Sequence, residues 1–283
     1  MTSTTELVLL GTRGGPRPSL VRANASNLVR VGGAPYLVDC GLGVTRRLLE
    51  AGVALPSLRH IFITHHHSDH TLELGPLLHS AWASGLASPV DVYGPPPLRP
   101  LIEGMLHAME TDIAIRMADE GRPDLARLIR VHEFEAPATV LELPGLTVRA
   151  IPVIHPPLTH AYAYRFDAPD RSIVLSGDTA FCPALAEFAQ GSDLLLHEAM
   201  HLGGLDRLCA INRNAPRLRE HLLASHTTTE EVGRIAALAG VNTLVLNHLV
   251  PGEDSALTED MWLEGPRKHF AGRVLLGQDL MVL

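Results

Sequence analysis

Short apolar runs recur along the chain, and most end on Gly, Pro, Asp, Asn or His. Runs at 6–11, 35–40, 59–64, 90–93, 139–143, 146–154, 161–166, 172–176, 193–196, 243–247 and 273–276 are rich in Val, Ile and Leu, and 279–283 is a candidate last one. Bounded in this way they predict strands. Helical patterns alternate with them at 44–51, 71–84, 228–240 and 258–270. The third opens on Thr228 with Glu231 three residues later and stops at Gly240, a capping-box start and a glycine stop. Residues 98–135 differ in character: Leu101, Ile102, Met105, Leu106, Met109, Ile113 and Met117 fall at helical spacing. They read as a helical insertion in a single domain spanning 1–283. The insertion would pack on the rest of the domain, and would border the active site as a lid or line a homodimer surface. Pattern alone says α/β or α+β.

One run ends unusually. Ile61-Phe62-Ile63 is followed by Thr64-His65-His66-His67-Ser68-Asp69-His70. Alternate side chains on a strand end share a face, so His65 and His67 point together and His66 points away. The turn then carries Asp69 and His70 to a second point nearby. Three imidazoles and a carboxylate this close suit Zn²⁺, Mn²⁺ or Fe²⁺. Other apolar runs end on similar residues: His155, Asp178, His197 with Glu198, and His248. Each is weak alone. Together they would deliver ligand side chains to one edge of a rigid scaffold.

These residues resemble the metallo-β-lactamase-fold hydrolases, and within them the ribonuclease Z and arylsulfatase-like branch. Gly11 to Pro16, Asn24-Ala25-Ser26, Leu37 to Gly41, Ser176 to Thr179, His197-Glu198-Ala199, Ser225 to Thr228 and Asn247-His248 extend the resemblance over most of the chain. It implies an α+β fold, an αββα sandwich. It also implies two divalent metal ions, Zn²⁺ first. His65, His67 and His155 would hold one, and Asp69, His70 and His248 the other. Asp178 would bridge with one oxygen toward each. Metals roughly 3.5–4 Å apart depress the pKa of a water held between them, which attacks as hydroxide. Asp69 counts as catalytic as well as a ligand. Glu198 and His226 lie outside the ligand set, and the resemblance pairs them as orienting carboxylate and proton donor. The competing reading is that Glu198 supports a ligand and His226 caps a helix. Asp39 is expected to brace the metal loops, and His197 to make a structural hydrogen bond. His160 is open to either role. His79, His107, His132, His201, His221 and His269 read as ordinary histidines.

The first functional reading is a dinuclear hydrolase of an ester bond, a phosphodiester or aryl sulfate, in a small molecule. The alternatives are a tRNA 3′-processing endoribonuclease and a lactonase or other carboxylic-ester hydrolase. A net charge of −8 over 283 residues weighs against nucleic acid, although two bound dications would reverse the charge locally. Short-form ribonuclease Z enzymes also carry a long arm between the residues matching His155 and Asp178, and here these are separated by only 23 positions. The three cysteines, Cys40, Cys182 and Cys209, are scattered, which suggests reduced thiols and a cytoplasmic setting. No signal peptide or membrane span is expected.

Overall fold

The computed structural model describes residues 4–283. Two sheets face each other. The first runs in spatial order β1 (Thr5–Gly11), β2 (Ser26–Val31), β3 (Ala34–Val38), β4 (His60–Phe62), β5 (Val90–Gly94) and β6 (Ile129–Glu133). Its β1 to β3 are antiparallel neighbours, and β3 to β6 are parallel. The second holds β7 (Ala138–Leu143), β8 (Leu146–Pro152), β9 (Tyr162–Asp167), β10 (Ser172–Leu175), β11 (Leu194–Met200), β12 (Thr243–Val250) and β13 (Arg273–Leu276), adjacent in chain order. Here β7 to β10 are antiparallel neighbours and β10 to β13 parallel.

The helices are α1 (Val44–Glu50), α2 (Ser68–Thr71), α3 (Leu74–Ala83), α4 (Leu98–Ala108), α5 (Glu110–Glu120), α6 (Leu125–Leu128), α7 (Pro183–Phe188), α8 (Leu202–Ile211), α9 (Leu218–Ser225), α10 (Thr229–Ala239) and α11 (Glu259–Arg267). Leu7, Leu9, Val29 and Phe62 of one sheet meet Val148, Tyr164, Phe166, Ile173 and Val245 of the other in the central core. Leu48, Leu77 and Ile102 of α1, α3 and α4 cover the outer face of the first sheet. Leu185, Ile235 and Trp262 of α7, α10 and α11 cover that of the second. This is the αββα sandwich that the resemblance implied. No helix among the described residues is long and apolar enough to cross a membrane.

The segment 98–135 is only partly helical. After α4 to α6 it ends in β6, which joins the first sheet beside β5. Its charged, exposed positions hid that strand: Arg130 and His132 face outward. Leu98 and Ile102 pack on the first sheet's outer core, while Leu125, Leu128, Ile113 and Met117 gather around Trp82. Residues 279–283 form no named strand, although Leu283 exchanges backbone hydrogen bonds with Leu7 of β1, Met281 O accepts from Leu9 N and Leu280 N donates to Leu9 O. β2 and the helices α7, α8 and α9 are absent from the sequence pattern, being short or weakly periodic. The predicted capping box at α10 is present, with Thr228 and Glu231 satisfying each other's backbone N–H.

Candidate metal centre

The site lies at one edge of the two sheets, where the strands of the parallel halves end. β4 stops at Phe62, and Thr64 to His67 run on extended into α2, with His67 at its N-cap. β8 leads to His155, and β10 leads through Gly177 to Asp178. Gly177 has φ 59° and no room for a side chain: a Cβ would sit 2.6 Å from Tyr162 O. Only glycine supplies that turn at low cost. β12 reaches His248 by a bulge. Its pairing with β11 slips after Asn247↔Glu198, leaving His248 as the extra residue at φ 41°. A bulge turns the extra side chain out of strand alternation, and here it turns the imidazole into the site.

Asp178 is the hub. Its Oδ2 lies 3.1 Å from His248 Nε2, 3.4 Å from His70 Nε2, 3.7 Å from His65 Nε2 and 3.8 Å from His155 Nε2. Oδ2 is thus the Asp178 oxygen that faces all four imidazoles. His67 Nδ1 approaches His65 Nε2 at 3.2 Å and His155 Nε2 at 3.0 Å. Two groups of candidate ligand atoms result: His65, His67, His155 and Asp178, and beside them Asp69, His70 and His248. All seven predicted ligand positions are thus brought together. His226 also falls within ligand distance of Asp178 and His248.

The distal nitrogens are tied down. His70 Nδ1 meets Asp39 Oδ2 at 2.8 Å, His155 Nδ1 donates to Ser225 O at 2.8 Å, and His65 Nδ1 meets Thr64 Oγ1 at 3.0 Å. Such contacts select the tautomer that offers Nε2 to a metal. Asp39 also accepts from Thr64 N at 2.8 Å, and it sits at φ 64° to do so. That is the bracing role expected of it. Gly15 N donates to Asp69 Oδ2 at 2.8 Å, which anchors the second carboxylate from the first loop.

The electrostatics favour cations. Asp39, Asp69 and Asp178 are buried, and among the described residues their ion-pair partners are histidines, with no Lys or Arg. Buried carboxylates need compensating positive charge. Burial opposes ionisation of Asp178, yet His248 and His70 hold its carboxyl well below the usual range. The same contest at His70 ends the other way: burial disfavours the imidazolium, but Asp178, Asp39 and Asp69 push its pKa well above the ordinary value. Burial keeps His65 well below 6.5 and takes His155 down to about 4, the neutral state a ligand requires. His70 Nε2 and Asp178 Oδ1 are buried without a hydrogen-bond partner. The residues present fit a pair of divalent cations.

Beside this cluster, His226 Nδ1 meets Glu198 Oε1 at 3.2 Å, and the same oxygen accepts from Thr227 N at 3.0 Å and Thr179 N at 3.2 Å. Burial disfavours the His226 imidazolium, but Glu198 raises its pKa to about 9. His66 bonds outward to Pro95 O, and His197 Nδ1 donates to Glu198 O at 2.7 Å, as alternation predicted for both.

A cavity of about 420 Å³ opens against the cluster. Its walls come from Arg13 to Arg17 and from α8, α9 and the turn between them; no residue of 98–135 and not His160 lines it. His221, read as ordinary from sequence, lines this cavity 6.2 Å from the His67 ring and 6.3 Å from the His226 ring. Its spacing of four before Ser225 on a helix was the available signal, since such neighbours share a face.

The family model of the metallo-beta-lactamase superfamily matches residues 21–194. A ribonuclease Z of Mycobacterium marinum is 37% identical over 279 residues, covering 97% of this chain and 96% of that protein. A ribonuclease Z of Mycobacterium bovis is 35% identical with the same coverage. Among solved structures, the metallo-beta-lactamase fold protein YhfI of Bacillus subtilis superposes with a TM-score of 0.72 at 23% identity, covering 99% of this chain and 98% of that one. The short form of human tRNase Z superposes at 0.71 and 22% identity, covering 98% of each. With its sandwich, its strand-end cluster and these matches, the chain belongs to the metallo-beta-lactamase superfamily of hydrolases.

Proposed function

We propose that the chain is a dinuclear metal-dependent phosphodiesterase of the ribonuclease Z kind, cutting RNA at the 3′ side of a tRNA. His65, His67 and His155 would hold one cation, Asp69, His70 and His248 the other, and Asp178 Oδ2 would lie between them. Two divalent cations there supply Lewis acidity toward a phosphate and a water of lowered pKa. The remaining steps fall to the chain's own groups. Asp69, His70 and His248 are fixed by Gly15, Asp39 and the β12 bulge. His226 presents its ring to the cavity while Nδ1 faces Glu198. That pairing keeps the ring charged near neutral pH, so it can give a proton to the departing oxygen.

The observation that carries the reading is the Glu198–His226 pair standing beside the Asp178 hub without being needed to complete either ligand group. A metal store or structural site has no use for a proton donor there. The likeness to relatives named ribonuclease Z supports RNA ahead of a small ester.

A small phosphodiester or aryl sulfate remains as the second reading, on one specific observation. Between His155 and Asp178 the chain holds only β9 and β10 with their turn, and no arm projects to grip a tRNA body. Metal-loaded protein should be offered a precursor tRNA with a 3′ trailer, bis-(4-nitrophenyl) phosphate, 4-nitrophenyl sulfate and a lactone. Cleavage of the trailer together with the nitrophenyl diester is expected. An intact tRNA with rapid diester or sulfate hydrolysis would transfer the assignment to the small ester, and turnover of the lactone alone would overturn both.

A further inference from the structure

The helices α8 and α9 are built into the metal centre from one side and into the cavity from the other. At the C-terminal end of α9, Ser225 O holds His155 Nδ1, Ser225 Oγ donates to Pro156 O at 2.6 Å, and His226 follows directly. The pair stands on its own small core of Met200, Leu205, Leu222 and Val250, with Leu208 and Leu218 packed against it. The wall facing the cluster is therefore apolar, through Leu208, Leu218 and Leu222. Its polar points are few. Asn212 spends Nδ2 on Leu208 O and keeps its carbonyl end, Asn214 lies beside it, and His221 offers a ring whose Nδ1 is held by Ser225 Oγ at 3.3 Å. Arg17 is exposed at the cavity's rim and is in no ion pair among the described residues.

Three features restrict the occupant. A volume of about 420 Å³ is that of a site for one small unit such as a nucleoside. Apolar walls with a few amides and an imidazole suit a flat ring with a polar edge. The proton-donor candidate His226 lines this same cavity, so its contents lie on the side of the departing oxygen. We infer that the cavity between residues 13–17 and α8–α9 is a leaving-group subsite for a single nucleoside. The base lies against Leu208, Leu218 and His221, Asn212 and Asn214 meet its edge, and Arg17 meets a neighbouring phosphate. This rests on the phosphodiesterase reading and deepens it: beside the bond to be cut, the protein holds a single nucleoside in this cavity.

The reaction is ordinary hydrolysis: water adds to phosphorus, the P–O bond to the nucleoside 3′-oxygen breaks, and that oxygen takes a proton. The test uses deoxyadenosine 3′-(methyl phosphate) and its abasic counterpart, with metal-loaded wild type and Ala215→Trp, product release being followed by chromatography. Ala215 is exposed and lines the cavity, so the indole fills space without touching the core. Wild type should prefer the base-bearing ester in kcat/KM by roughly 10–100-fold, the range expected from burying a few apolar groups. Ala215→Trp should remove that preference, losing far more kcat/KM on the base-bearing ester than on the abasic one, and Ala215→Ser should keep it. Calorimetric titration of metal-loaded protein with deoxyadenosine, which has no phosphodiester to cut, should show binding that Ala215→Trp abolishes. Equal rates for the two esters in wild type, or equal losses on both in Ala215→Trp, would overturn the subsite. Hydrolysis of neither ester together with an intact precursor tRNA would instead overturn the phosphodiesterase reading, and no deoxyadenosine binding in the calorimetry would overturn the subsite.

Discussion

Removing the His226 imidazole should cost most where the leaving group needs a proton. The structure sets the scale. Burial opposes the charged ring, but Glu198, helped by Asp178 and Asp69, lifts the His226 pKa from 6.5 to about 9, a net of about 3 kcal/mol in favour of the imidazolium. At neutral pH the ring is then protonated in most molecules, and its proton is available at the cavity wall. His226→Ala should slow release of an alkyl alcohol on the order of 10²–10⁴-fold. For 4-nitrophenolate, which leaves without a proton, the loss should be under about 10-fold. Glu198→Gln keeps an acceptor for Thr179 N and Thr227 N but removes the charge that outweighs burial. The His226 pKa then falls, and the alkyl ester should slow by roughly 10-fold at pH 7.5 and recover at pH 6. The assay is kcat/KM for methyl and 4-nitrophenyl leaving groups on one phosphate, with metal content measured on the same samples. Equal slowing of both substrates by His226→Ala with metal retained would refute proton donation and leave a positioning role. Loss of metal in that variant would make His226 a ligand, the role its closeness to Asp178 and His248 permits.

Other outcomes follow from the same geometry. Activity toward the alkyl ester should fall as pH rises through the His226 pKa, at or below about 9 because bound dications pull it down; a basic limb that survives in His226→Ala would contradict this. Asp39→Asn keeps a side chain that tolerates φ 64° but loses the charge facing His70 Nδ1, so metal affinity by chelator competition should weaken roughly 10–100-fold with little change in Tm. Gly177→Ala forces a Cβ against Tyr162 O and moves Asp178, so it should lose metal and cost at least 1 kcal/mol in denaturant unfolding; wild-type occupancy would show that the turn adapts.

What could be read from sequence follows the strength of local signals. The run from Thr64 to His70 states its chemistry outright, because strand alternation and residue type agree within seven positions. His155, Asp178 and His248 were found by their place after apolar runs, although nothing local announced the bulge that aims His248. The single-oxygen geometry of Asp178 depends on long-range packing and has no sequence signature. β6 was hidden by its exposed charged positions and its place after three helices. The cavity wall was missed for a related reason. α8 and α9 are short, carry Gly203, Gly204 and mixed polarity, and bury only a few leucines in a small satellite core. The apolar stripe of 98–135 is more regular; Ile102 and Met105 of it pack on the first sheet's outer core and Leu106, Ile113 and Met117 around Trp82.

The central claim is that Asp178 joins two cations into one centre. Elemental analysis of protein purified without chelator, beside Asp178→Ala shown to be folded by circular dichroism, tests it most directly. The account predicts close to two divalent metal ions per chain in the wild type and loss of most of both in the variant. One ion per chain after reconstitution, or full occupancy without the Asp178 carboxylate, would contradict it.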